Sequence, residues 1–112
     1  MSTVQAYIPR RAFDALDLPQ IVRMATLAGI DRPRIESSTH KIPDNIPAVS
    51  TRVTCSLEMA LALVEALRQQ AARAGNDGEL HTATVHAKAA LLAAIEEYHR
   101  PRGSTGTEPS PY

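Results

Sequence analysis

The chain has 112 residues, and its twelve Lys and Arg balance its twelve Asp and Glu, so the formal net charge is zero. That neutrality argues against nucleic acid or an anionic membrane as an obvious target, and one cysteine excludes an intramolecular disulfide framework or a Cys-rich zinc site. With no Trp and a single Phe, a large aromatic-lined pocket is not expected, and the length suits one domain.

Residues 1–10 read as extended. Tyr7 and Ile8 precede Pro9, which has no N–H to donate, so this stretch suits a short edge strand. Arg11 to Leu16 suit one helical turn. Asp17 then reads as an N-cap with Pro19 in the first turn of the next helix. Leu18, Ile21, Met24, Ala25 and Ala28 recur at helical spacing, and Gly29 ends the helix in the left-handed conformation. Asp31 is placed to cap a short helical piece through Arg32, Pro33, Arg34 and Ile35. Between Ser37 and Ala48, Pro43 and Pro47 with intervening polar residues predict a loop, tacked to the core by Ile42 and Ile46. Ala48 to Thr54 alternates, with Val49, Thr51 and Val53 on one face. That is a short strand, and it needs Val4 to Ile8 or a second subunit as partner.

Two Ala- and Leu-rich helical patterns follow, Ser56 to Ala74 and Glu79 to His99, joined by Gly75-Asn76-Asp77-Gly78. They predict an antiparallel helical hairpin over 56–100, with Ser56 as N-cap and Glu58 favouring the first turn. Ala60, Leu63, Val64, Leu67, Ala71 and Ala74 form the apolar face of the first helix. Ala83, Ala87, Ala90 and Ala94 make a stripe of small residues on the second, flanked by Val85, Ala89 and Leu92 and by Leu91, Ile95 and Tyr98. The expected fold is therefore mainly α: one domain over 1–100, with the hairpin packed against one or two short N-terminal helices and a minor two-strand element. Pro101 blocks further helix, and residues 101–112, rich in Pro, Gly, Ser and Thr, are expected to be a disordered tail.

The apolar surface of the hairpin is wider than one partner helix covers. Leu57, Leu61, Leu91, Ile95 and Tyr98 need a second cover, either the N-terminal helix through Ile21, Met24 and Leu27 or another subunit. These five are the candidate partner interface. Met24 to Ile35 resembles the central part of a helix-turn-helix: Ala25 is the small residue, Gly29 makes the turn, and Met24, Ile30 and Ile35 join the two helices. The resemblance implies a recognition helix capped by Asp31 that presents Arg32 and Arg34 to DNA. It covers about a dozen residues, and the polar run Ser37 to His40 before Pro43 would stunt the helix. A ribbon-helix-helix with 49–54 as its ribbon ranks lower still.

His40, His81, His86 and His99 lack metal-ligand spacing, since His81 and His86 are five apart and fall on different helical faces. Cys55 precedes a helix start, but no Cys–His signature surrounds it, so a buried structural thiol is expected. Glu96-Glu97 reads as a solvated patch, and no phosphate loop, dinucleotide fingerprint or nucleophile elbow is present. The reading is thus a small cytoplasmic, non-enzymatic interaction or regulatory protein. It needs no cofactor or metal, does not enter the membrane, and binds itself or another protein. A DNA-binding regulator is the alternative.

Overall fold

A computed structural model of the chain describes residues 3–99. Its elements run β1 (Thr3–Pro9), α1 (Arg10–Asp14), α2 (Leu18–Leu27), β2 (Ile35–Ser38), β3 (Ser50–Ser56), α3 (Leu57–Arg73) and α4 (Gly78–His99). The expected disordered tail, 101–112, lies outside the described residues. The expectation of a mainly α fold is overturned: the protein is α/β, the described residues being 56% helical and 19% strand, with a three-stranded antiparallel sheet in the order β1-β3-β2.

The sheet is organised around β3. Val4, Ala6 and Ile8 of β1 stand opposite Cys55, Val53 and Thr51, and all six side chains are buried on one face. The other face carries Gln5, Tyr7, Arg52 and Thr54, so the strands show the alternation of a half-covered antiparallel sheet. On the buried face, Met59, Leu63 and Leu67 of α3 and Ala87, Leu91 and Ile95 of α4 complete one continuous core with the sheet. The wide apolar face of the hairpin is therefore covered mainly by the sheet. Burying the Met, Leu and Ile side chains among these contributes about 1.5–3 kcal/mol each.

Local signals set the helix ends, as expected at Asp17, Ser56 and Gly29 and without a prior expectation at Asp77. Asp17 accepts a hydrogen bond from the Gln20 amide (3.3 Å), and Ser56 accepts one from Met59 (3.2 Å). Asp77 caps α4 by accepting from Leu80 (3.0 Å), and its carboxyl lies below the ordinary range because of that bond and, next, the nearby Arg11. Gly29 adopts φ +81° beyond the end of α2, the left-handed region that a Cβ disfavours.

Three further expectations fail. No helix follows Asp31: Arg32 takes φ +56°, and the chain enters β2 at Ile35, inside the stretch read as helix and then loop. Proline at 33 disfavours helical backbone at the residue before it. Val49 does not join the buried row of β3, which starts one residue later and runs Thr51, Val53, Cys55. Finally, α2 packs through Leu18, Ile21, Val22 and Ala25, leaving Met24 and Leu27 exposed.

Candidate functional site

Two hydrogen bonds set the register of the hairpin. Gln70 Nε2 donates to Thr84 Oγ1 (2.9 Å), and His81 Nδ1 donates to the Ala71 carbonyl (3.1 Å). Counting back along the antiparallel helices from these pairs brings Leu61 level with Leu92. Both are exposed, at 50% and 45%, and Val85, two turns before Leu92 on the same side of α4, is 39% exposed. On α3, Leu61 points away from the buried row Met59, Leu63, Leu67. On α4, Val85 and Leu92 flank the buried row Thr84, Ala87, Leu91, Ile95. The three side chains form an apolar stripe along the outward side of the hairpin.

A polar border lies beside it. Glu65 accepts hydrogen bonds from Arg68 Nε (3.0 Å) and Gln69 Nε2 (3.0 Å). These bonds, Arg68 first, pull its carboxyl down to about 2, so it stays charged across the physiological range.

Of the five residues singled out as a partner interface, the structure leaves Leu61 and Tyr98 exposed, sinks Leu91 and Ile95 into the core, and packs Leu57 partly against it. The buried row of α4 is rotated from the alanine stripe because its inner side is shared between the sheet and α3, to which Thr84 is tied through Gln70. Val85 and Leu92 were visible only as a flank of that stripe. Their exposure follows from a rotation that the local pattern does not specify.

The helix-turn-helix candidate keeps its turn and loses its second helix. Ile30 bonds back to the Ala25 carbonyl (3.0 Å), Arg34 bonds to the Arg32 carbonyl (2.7 Å), and strand follows. Arg34 reaches Glu36 (3.6 Å), so the two arginines sit at the start of an edge strand and not on a helix that fits a groove.

Cys55 is buried on the inner row of β3, and that burial pushes its thiol up to about 11. It is held protonated and poorly nucleophilic. His81 is tied to Ala71, and His99 stacks edge-on with Tyr98 at 5.4 Å. Among the described residues no group of three or more His, Cys, Asp and Glu is placed to hold a metal ion, and no helix is long and apolar enough to cross a membrane. A wide groove of about 1230 Å³ opens between α1 and the start of α4, lined by Pro9, Arg10, Val49, Leu80, Ala83 and His86. Among known proteins, no family model matches this chain, nor does any curated protein or solved structure.

Proposed function

We propose that this chain is a non-enzymatic interaction module that docks another protein on the outward side of its α3–α4 hairpin. One observation carries the reading: Leu61, Val85 and Leu92, three large apolar side chains, lie in one stripe and are each more than a third exposed. Single exposed leucines are ordinary on protein surfaces, whereas aligned ones give a partner helix a continuous ridge to cover. Each Å² of apolar surface so covered contributes about 25 cal/mol. The charged Glu65–Arg68 pair supplies a polar rim of the kind that surrounds such contacts.

Site-specific photo-crosslinking in cells tests this. A crosslinker placed at position 61, 85 or 92 should give discrete protein adducts, while one at Glu36 or Thr54 on the open sheet face should not. Adducts equally abundant from both faces, or none from the hairpin, would sink the proposal.

A further inference from the structure

A second, smaller pocket opens on the far side of α1 from the wide groove. It encloses about 340 Å³ between α1 and the end of β2, at the low end of the range for small-molecule sites. Thr51 of β3 lines it, is 3% exposed, and carries a hydroxyl with no hydrogen-bond partner among the described residues. In the free chain that hydroxyl contributes nothing to stability, and such a group is rare enough in a folded protein that each instance asks for a partner. Phe13 is the apolar wall. The rest of the lining is polar: Ser37 and Thr39 add hydroxyls beside Thr51, and Arg10 and Asp14 bring two opposite charges.

Both sides of the pocket are held by the fold. Ser38 Oγ accepts from the His40 amide (3.1 Å), and Arg52 donates to the His40 carbonyl (3.4 Å), which ties down the chain leaving β2. The Arg10 amide donates to the Val49 carbonyl (2.8 Å) and fixes the start of α1 against the approach to β3.

The two charges decide what the pocket suits. Arg10 and Asp14 lie one turn apart on α1, so their side chains leave one face of the helix, about 5–6 Å apart at Cβ. Neither forms an ion pair among the described residues. Arg10 makes only a 3.5 Å hydrogen bond to the Ala48 carbonyl. Their order, cation before anion, is the less favourable one for pairing within a helix. A cation and an anion held side by side without pairing are complementary to a ligand that carries both charges close together. The surrounding hydroxyls suit a polar remainder.

We propose that this pocket binds a free α-amino acid with a polar side chain. The carboxylate accepts from the Arg10 guanidinium, whose planar fork matches its two oxygens. The ammonium donates to Asp14, and the side chain meets Ser37, Thr39 and Thr51. A threonine exchanges the places of its methyl and hydroxyl between staggered wells, and that turn brings the covered Thr51 oxygen to the ligand.

The test is thermal unfolding of the full chain with L-glutamine or L-serine at millimolar concentration. Lactate and ethanolamine, which each keep one of the two charges, are the controls. A ligand that binds only the folded chain raises the midpoint. A rise with an amino acid, and none with the single-charge probes, is expected. Titration calorimetry then gives the Kd. Arg10→Gln and Asp14→Asn, both at exposed positions, should each raise it about tenfold, the typical effect of losing a charge-assisted hydrogen bond. Thr51→Val should raise it several-fold while leaving the free chain as stable as before or more so, a split that a purely structural residue does not show. Arg11→Gln, next on α1 but tied to Asp77, should leave the Kd unchanged. So should Leu61→Glu with Leu92→Glu, so that this inference and the hairpin reading fail separately. No midpoint shift with either amino acid, an equal shift with lactate or ethanolamine, or a Kd indifferent to both charge substitutions would each overturn the proposal.

Discussion

Two regions of this molecule bury a polar side chain equally well and treat it differently. Where α1, α3 and α4 meet, Gln70 is 5% exposed and donates to both the Ala12 carbonyl (3.1 Å) and Thr84 Oγ1 (2.9 Å). Where α1 meets β2 and β3, Thr51 is 3% exposed, and its hydroxyl has no hydrogen-bond partner among the described residues. Depth is the same in both places, but the free-energy consequence is not. A buried donor that finds its acceptors ties three elements into one geometry, while a buried hydroxyl without one costs its full desolvation. The first region is a clamp. The second is a position where strand alternation and β-branching put a threonine, and its packing is useful while its oxygen is not.

Substitutions can break that contrast. Gln70→Ala should have the largest effect, a loss of about 3 kcal/mol, because it strands a carbonyl and a hydroxyl and opens a cavity. Urea unfolding measures it, and a change under 1 kcal/mol would mean that the clamp is dispensable. Cys55, on the same buried row as Thr51, adds a pH-dependent cost. The unfolded chain loses its thiol proton near pH 9, while the folded chain holds it to about 11. The unfolded state therefore binds fewer protons between these values. Stability is intact below pH 9 and falls as pH rises through that window, by on the order of 2 kcal/mol. Cys55→Ala should flatten this part of the pH–stability profile. If the slope persists in that variant, other groups carry it.

Thr51→Val sharpens the comparison from the other side. It keeps the shape and removes the orphan oxygen, so stability should stay the same or rise by up to about 1 kcal/mol. A clear loss would reveal a partner for that hydroxyl, such as a bound water. The smallest effect belongs to Arg11→Ala. Its 3.0 Å ion pair with Asp77 joins α1 to the hairpin turn, but both side chains are about half exposed. Thermal unfolding should register a loss of roughly 0.2–1 kcal/mol that shrinks in salt.

The parts of this fold that could be read in advance are those whose cause is local. Asp17 and Ser56 announce helix starts through a side-chain oxygen three residues before the amide it caps, and Gly29 announces a turn through its missing Cβ. The pairing of β1 with β3 was legible as a need, because neither alternating segment can stand alone. What stayed hidden depends on remote partners. Ile35 to Ser38 contains little that favours a strand, and it becomes one because β3 offers an edge. Leu91 and Ile95 looked like surplus surface until a sheet appeared beneath them. Nothing in the sequence singles out Gln70, and no periodicity reveals that Ala12 and Thr84 wait for it. The stripe at Leu61, Val85 and Leu92 belongs to the same class, since it is defined by what the sheet leaves uncovered.

The order of strands also sets a timetable. Pro9 pairs with Ser50 and Thr3 with Ser56, so β1 is made long before the strand that receives it. At synthesis rates of about 5–20 residues per second, β1 waits several seconds for β3, and longer for the helices that cover its inner face. The hairpin closes through a four-residue turn and needs no such wait. Throughout that interval an uncharged segment is open on both sides to other nascent chains. A circular permutant that moves β1 behind α4 would remove the delay, and its yield of refolded protein would show how much of the folding problem is a matter of waiting.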